Sequence, residues 1–269
     1  MPPSTEKFVA HNPGASSEDP TALTECGVHT MSYDKDIERL LELALQGTRT
    51  VLRHFVDECL DRGNIKPEEF LSEVVSPALA RIEQCRREDR VTTSAISMVM
   101  GSLRLAAGRV IERMADAPKI KFGHRRRILL FCGEGAAEQL DAEIMTAELE
   151  IDGHEVRFAG GGVPSDEILA DVGQWSPDVL LLYASCPSDA PGIREIIDTI
   201  RNVGACPDLQ IAVGGGVFRR VPGLAEEIGA DLWADDAGDL RRAIIDDPDR
   251  RSIPEQRTVG RGRRLPKAA

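Results

Sequence analysis

The sequence is poor in the residue pairs that build metal and redox sites. It has six cysteines and five histidines in 269 residues, and no two cysteines stand at the C-x-x-C spacing of zinc sites or thioredoxin-like motifs. Isolated cysteines on apolar faces usually pack as small hydrophobic residues, so we expect them to stay reduced. The sequence therefore predicts no metal site and a protein of a reducing compartment.

Long apolar runs are missing as well. No stretch approaches the roughly 18 uninterrupted apolar residues of a membrane span, and residues 1–30 have neither the basic start nor the apolar centre of a signal peptide. No Ser/His/Asp or Cys/His arrangement for nucleophilic catalysis is visible. These absences predict a cytoplasmic protein that does not contact membranes and has no catalytic residues of its own.

Positive charge is scarce except at the C-terminus. The chain has 33 Lys and Arg against 45 Asp and Glu, a formal net charge of −12, which argues against a nucleic-acid surface over the whole chain. Residues 248–269 hold seven basic and two acidic residues, so this segment is at +5 and the remainder is at −17. We expect a basic disordered tail, with contact to an acidic partner or RNA as the alternative.

Helical periodicity follows an irregular leader. Residues 1–31 are rich in Pro, Ser, Thr and Gly, and we expect them to form a disordered leader. Over residues 32–117 apolar residues recur at spacings of three and four. Gly47 stands where a helix is expected to end, and Pro77 is expected to kink or end another. The pattern predicts a helical bundle over residues 32–117.

The period changes after Pro118. Residues 118–126 read as a basic linker, and from residue 127 to residue 247 short apolar runs alternate with amphipathic helices. Five runs have the length of a strand: 128–131, 155–159, 178–183, 210–213 and 231–234. Because each crossover places a helix on one face, the pattern predicts an α/β fold, a five-stranded parallel doubly wound (flavodoxin-like) sheet preceded by the bundle.

Small-residue loops follow four of these runs. They span residues 133–135, 160–162, 183–187 and 214–216. In a doubly wound sheet a ligand lies beyond the carboxyl ends of the strands, and glycines let it approach the backbone closely. The sequence thus predicts a small-molecule cleft between the bundle and this edge. Turns between strand and helix also need glycine for geometric reasons, so the loops alone leave both interpretations open.

The order of bundle, linker and five strands resembles the vitamin B12 (cobalamin)-binding modules of methionine synthase, corrinoid methyl carriers and light-sensing repressors. The resemblance covers about residues 36–246. It rests on Gly153-His154-Glu155-Val156 at a strand entry, Val163-Pro164 in a loop, Gly214-Gly215 after the fourth run, and the closing segments Gly229-Ala230-Asp231 and Ala234-Asp235-Asp236-Ala237. It implies a Rossmann-like B12-binding-type domain over residues 127–247, with the bundle as its cap.

The family's cobalamin-binding signatures are changed in this chain. Its Asp-x-His-x-x-Gly falls on residues 136–141, so the lower cobalt ligand position is Glu138, and its Ser-x-Leu begins at Tyr183. The tryptophan and the Glu-His pair that cap the upper face in light-sensing members fall near Arg86 and on residues 96–97. The cofactor-facing positions that the resemblance implies are therefore Gly135, Glu138, Tyr183, Ser185, Gly214, Gly215, Arg86 and Ser97.

Glu138 and Tyr183 alter the chemistry that the resemblance implies. A carboxylate is a harder, charged donor than an imidazole, and a phenol ring crowds the slot for the nucleotide tail, so His-on cobalamin binding is not expected. Cobalamin that keeps its own base needs no protein ligand, but Tyr183 would have to move aside. The plain structural interpretations are a solvated Glu138 in the first turn of a helix and a half-buried Tyr183.

Two classes of function remain. The first is a non-catalytic sensory or regulatory module, in which bundle and sheet move when the cleft is occupied and a protein partner receives the output. The second is a corrinoid (cobalamin) carrier protein for a methyltransferase. The missing histidine favours the first. No helix-turn-helix precedes the bundle, so direct DNA binding is not expected, and a homo-oligomer is left open.

Two other classes of protein share the strand pattern. A response-regulator receiver domain needs an acidic pair after its first strand and a phosphorylatable Asp at the end of its third, where this chain has Gly133-Glu134 and Tyr183. A nucleotide dehydrogenase needs G-x-G-x-x-G, of which residues 133–138 supply two glycines. Both matches are weaker than the resemblance to the cobalamin-binding modules.

Overall fold

The computed structural model describes residues 33–63, 65–115, 125–204 and 206–253. The predicted leader, most of the predicted linker and residues 254–269 of the predicted tail lie outside the described residues. Residues 248–253 of that tail lie inside them, and Gln210 donates a hydrogen bond to the carbonyl of Arg250 at 2.9 Å. The first part of the tail is therefore attached to the sheet.

Five helices build the N-terminal region: α1 (Asp34–Gln46), α2 (Arg49–Asp61), α3 (Pro67–Phe70), α4 (Ser76–Arg87) and α5 (Thr93–Ala115). Leu40, Val56, Phe70 and Leu103 are fully buried at their common core. Gly47 ends α1 with a φ of 68°, a left-handed conformation that glycine adopts without strain. The predicted helical region and the predicted end of its first helix are confirmed.

Pro77 does not end a helix. A π-helical turn, Leu71–Val75, joins α3 directly to α4, and Pro77 lies in the first turn of α4. Proline has no N–H and its ring clashes with the carbonyl four residues earlier, which the wider π turn avoids. The irregularity that proline imposes therefore lies before Pro77, and the helical path continues through it.

Helix α5 is the longest helix of the described ranges. Among the residues that the structure describes, it alone is long and apolar enough to cross a membrane by length and composition. It also contributes seven buried apolar residues, among them Val99, Leu103 and Val110, to the core of the helical region. Since core helices meet the same criteria, this single helix is weak support for a membrane span.

Four parallel strands form one sheet of order β2-β1-β3-β4: β1 (Arg127–Cys132), β2 (Glu155–Gly161), β3 (Val179–Tyr183) and β4 (Gln210–Gly214). The helices between and after them are α6 (Ala136–Ile151), α7 (Ser165–Trp175), α8 (Ala190–Val203), α9 (Gly216–Arg220), α10 (Leu224–Ile228) and α11 (Ala237–Asp246). The α/β class and the parallel sheet are confirmed.

The predicted fifth strand is wrong within the described residues. Residues 231–234 contribute one isolated bridge, from Leu232 to Ala212. The carboxylate of Asp231 accepts the backbone N–H of Ile211 at 2.7 Å, so a side chain takes the donor that a longer ladder would use. The segment lies beside β4 without extending the sheet.

Helix α6 connects the helical region to the sheet. Ala137, Leu140 and Ile144 on one face belong to the core of the helical region, whereas Met145 and Leu149 belong to the core on the sheet, where α6 packs against β1 and β2. The two parts therefore share one helix.

Candidate functional site

The predicted loops meet at the carboxyl edge of the sheet. Cys132 at the end of β1 pairs with Gly161 of β2 and with Tyr183 of β3, and Tyr183 pairs with Gly214 of β4. Because the four strands are parallel and in this register, their last residues are neighbours. The loops that follow them surround one small region, as the sequence predicted.

Glu138 is the centre of this region. It lies in the first turn of α6 and is 2% exposed, so the interpretation of Glu138 as a solvated residue is wrong. Its carboxylate accepts backbone N–H groups from Ser185, from Cys186 at 3.1 Å and from Gly135 at 3.4 Å. These donors come from the loop after β3 and from the start of α6. Glu138 therefore holds two loops together, and buried backbone donors explain why it points inward.

The electrostatics of Glu138 follow from this burial. Burial raises the pKa of its carboxyl, and the charge of Asp189 raises it further, while the N–H groups of Ser185, Gly135 and Cys186 act in the opposite direction. A Cβ at Gly133 would collide with the carboxylate, so the glycine after β1 leaves room for it. The site thus contains a tightly enclosed acid whose hydrogen bonds come from the protein's own backbone.

Three residues of this edge offer possible metal ligands. Ligand atoms of Glu138, Cys186 and Asp189 lie within 4.8 Å of one another. Burial raises the pKa of the Cys186 thiol, and the charges of Glu138 and Asp189 add to the effect. The backbone N–H of Cys186 also donates to Asp189 at 3.3 Å. The backbone N–H of Cys186 therefore links the carboxylates of Glu138 and Asp189 within this loop.

Tyr183 ends β3 and lies in the core beneath the same edge of the sheet. It is 4% exposed, more buried than the sequence interpretation expected. A Cβ at Gly214 would lie 2.8 Å from Cε2 and 2.9 Å from Cζ of the ring, so the ring packs directly on the glycine of β4. Burial raises the pKa of the phenol well above its ordinary value, and the charges of Asp141 and Glu148 add to this. The position of the predicted tail slot is occupied by an aromatic ring.

Sequence reasoning missed two acids near this ring, Asp141 and Glu148, and a third acid, Asp189, in the loop after β3. Burial raises the pKa of Asp141 to about 7 and that of Glu148 to about 7. Asp141 occupies the glycine position of Asp-x-His-x-x-Gly, so the motif alignment already contained its signal. Glu148 has no such signal, and Asp189 joins the site through a short 3-10 turn, Pro187–Asp189.

Arginines form the rim of the site. Arg86 of α4 pairs with Glu83 at 2.8 Å, which is the main cause of its raised pKa, and the charges of Cys186 and Glu138 contribute as well. Arg220 donates to the carbonyl of Ser185, and its pKa is lowered by burial and then by Arg87 and Arg219. The edge therefore has an acidic floor and a basic rim.

The structure brings together six of the eight predicted positions directly. They are Gly135, Glu138, Tyr183, Ser185, Gly214 and Gly215. Gly215 has a φ of 98°, and a Cβ there would collide with the carbonyl of Ala184. Arg86 is electrostatically coupled to them, whereas Ser97 is exposed on α5 and forms no hydrogen bond with these loops within the described ranges. The prediction for Ser97 gains no support from contacts.

Cobalamin held through a protein imidazole does not fit these residues. Glu138 stands at the ligand position with its oxygens bound to backbone N–H groups, and Tyr183 packs on Gly214 where the nucleotide tail would enter. Both features are contacts within the protein itself, hydrogen bonds for Glu138 and packing for the Tyr183 ring. The His-on mode of the resembling family is therefore not supported at this edge.

Comparisons with known proteins agree on the scaffold. A family model described as B12 binding domain matches residues 126–243. Dimethylamine corrinoid protein 3 of Methanosarcina acetivorans is 21% identical over 209 residues, 76% of this chain and 94% of that protein. Dimethylamine corrinoid protein 1 of the same organism is 26% identical over 106 residues, 39% of this chain and 49% of that protein, so this match spans about half of the relative.

A solved structure agrees as well. The monomethylamine corrinoid protein of Methanosarcina barkeri matches with a TM-score of 0.67 at 15% identity, over 79% of this chain and 98% of that chain. At this identity the likeness concerns the fold alone. The segment that the family model matches contains all four described strands and the loops around Glu138. Residues 126–243 therefore form a domain of the vitamin B12 (cobalamin)-binding module family.

Proposed function

We propose that this chain is a non-catalytic subunit, built on the scaffold of corrinoid proteins, that works through a partner protein. The observation that carries this proposal is the match to dimethylamine corrinoid protein 3, which extends over 94% of that protein and 76% of this chain. A match of this extent includes the helical region as well as the sheet. It therefore supports a shared use of both parts.

Carriage of a corrinoid for a methyltransferase is the form of this function that the relatives favour. Both curated relatives named above are dimethylamine corrinoid proteins. The sensory or regulatory form, which the missing histidine favours, has no counterpart among them. Carriage is therefore the first candidate. This reverses the order suggested by the sequence, which placed the regulatory module first.

The contacts of Glu138 and Tyr183 set a condition on carriage. A corrinoid bound at this edge has to do without an imidazole from position 138, since the carboxylate there accepts three backbone N–H groups. The same contacts favour regulation as the second candidate. In that form the carboxyl edge of the sheet takes another ligand or a partner, and no corrinoid.

Absorption spectra under dim light distinguish the two candidates. The full chain is titrated with hydroxocobalamin and with methylcobalamin. Carriage predicts saturable binding with the spectrum of cobalamin that keeps its own base, and it predicts that the bound spectrum is the same in Glu138→Ala and in the matched control Glu134→Ala, which changes an exposed acid of the same loop. Regulation predicts no binding by the wild-type chain.

Two outcomes would correct the geometric argument. Submicromolar binding of hydroxocobalamin that is lost in Glu138→Ala alone would show that the carboxylate is a ligand. Binding that is gained only in Tyr183→Ser would show that the ring alone closes the slot. Methyl transfer by the chain without any added methyltransferase would contradict the non-catalytic proposal itself.

A further inference from the structure

A groove on the helical region lies apart from the sheet edge. It runs between α2 and α5 and has a volume of ≈ 670 Å³. Four arginines line it, against two carboxylates: Arg49, Arg53, Arg104 and Arg109, with Asp57 and Glu112. The lining thus carries a formal charge of +2 on a chain whose net charge is −12.

Two of the four arginines are available to a ligand. Arg109 is bound to Asp57 at 2.9 and 3.3 Å, and Arg104 pairs with Glu143 at 3.2 Å. Arg49 and Arg53 form no hydrogen bond or ion pair with any residue of the described ranges. They stand one turn apart on α2, where like charges repel. A bound anion would relieve this repulsion.

Glycines open the floor of the groove. Gly101 and Gly108 lie two turns apart inside α5, on the face that lines the groove. No atom lies within 4 Å of a Cβ built at either position, so packing within the described chain does not require glycine there. Glycine in a helix interior is less stable than alanine. The two positions therefore lower the stability of the helix and leave space beside the arginines.

We propose that this groove binds a small phosphate-bearing molecule. Guanidinium groups match phosphate oxygens in bidentate geometry, and the volume lies within the roughly 300–1,000 Å³ of small-ligand sites. The lining is mainly polar, with Leu105 as its apolar residue, which suits an anion better than an apolar ligand. The site is independent of whether the sheet edge holds a corrinoid.

Calorimetric titration of the full chain with inorganic pyrophosphate tests the arginines. One saturable site per chain is expected, with an affinity that falls as salt is added. Arg49→Gln/Arg53→Gln is expected to weaken binding about tenfold or more, because each charge-assisted hydrogen bond is strong enough for such a change. Arg39→Gln/Arg242→Gln removes the same charge at two exposed sites and is expected to leave the affinity unchanged.

Filling the groove provides a second measurement. Gly101→Leu/Gly108→Leu is expected to abolish pyrophosphate binding without lowering the melting temperature, since both positions have open space. Citrate, a carboxylate of similar charge, is expected to bind more weakly. The proposal is overturned by the absence of saturable binding, by wild-type affinity in either groove variant, by equal weakening in the control pair, or by equal affinity for citrate.

Discussion

At the carboxyl edge of the sheet, the positions that would face a cofactor are completed by the protein's own side chains. The carboxylate of Glu138 is fixed by backbone N–H groups of the loop after β3. Tyr183 packs with Leu240 and Gly214 in the core beneath the sheet. Because the Glu138 carboxylate is hydrogen-bonded and the Tyr183 ring is packed within the protein, both residues stabilise the fold as well as restrict the site.

Gly214 is the residue that makes room for this arrangement. We expect Gly214→Ala to lower the free energy of unfolding by about 1–3 kcal/mol, because the new Cβ would overlap the Tyr183 ring and Leu240. Gly173→Ala, at an exposed helical site with nothing within 4 Å, should raise it by about 0.5–1 kcal/mol. Urea unfolding measures both, and equal effects would contradict the packing described for Tyr183.

Glu148 should make stability depend on pH. Its pKa rises from 4.5 to about 7 on burial, so the stabilising protonated form is fully present below the unfolded pKa and is lost as pH rises through about 7. At about 1.4 kcal/mol per pKa unit, the free energy of unfolding contributed by Glu148 falls by about 3 kcal/mol between pH 4.5 and 7. In Glu148→Gln this decrease in the free energy of unfolding with rising pH should be absent. Unfolding in urea across this range tests it, with the exposed Glu150→Gln as control; an unchanged curve for Glu148→Gln would contradict it.

At the scale of elements, α6 determines how the two parts of the molecule meet. Its N-terminus carries Glu138, one of its faces belongs to the helical core, and its other face packs on β1 and β2. A change in either core therefore reaches the site through one rigid element. Helix α6 therefore links the stability of the two cores to the geometry of the carboxyl edge of the sheet.

Leu140 tests this role of α6. It is fully buried in the core of the helical region, and Leu140→Ala is expected to lower the free energy of unfolding by about 2–5 kcal/mol. The exposed Leu45→Ala, 46% exposed, should change it by less than about 0.5 kcal/mol. Chemical denaturation followed by circular dichroism gives both values, and similar small effects would show that α6 is not part of that core.

The elements differ in how far the sequence could predict them. Fully apolar runs such as β3 are recognisable because hydrophobic strands in parallel sheets are buried on both faces. The fifth strand failed because the side chain of Asp231 takes a backbone donor from β4, which no periodicity reveals. The burial of Glu138 depends on N–H groups 47 and 48 residues away in the chain. Because these donors are distant in the sequence, the family motif indicated the position of Glu138 but could not predict its burial or its hydrogen bonds.

At the scale of the whole molecule, the sequence predicts a domain boundary at residues 118–126, and it stays a prediction. The described residues from Tyr33 onward belong to one compact unit, which is consistent with a shared α6. A boundary in the chain and a shared core are compatible, because a linker can join two parts that unfold together. Whether the helical region and the sheet unfold together or separately is a question of folding cooperativity.

The two tryptophans make cooperativity measurable. Trp175 stacks against Arg127 and Arg157, and Trp233 against Arg250, so fluorescence reports on the sheet part. Hydrogen exchange in α2 and α5 reports on the helical region. Because Leu140 and Ile144 of α6 belong to the helical core, both probes should give the same urea midpoint, and Leu140→Ala should shift both equally. Loss of protection in α2 and α5 at lower urea than the fluorescence change would mean that the helical region opens alone, as a movable cap would.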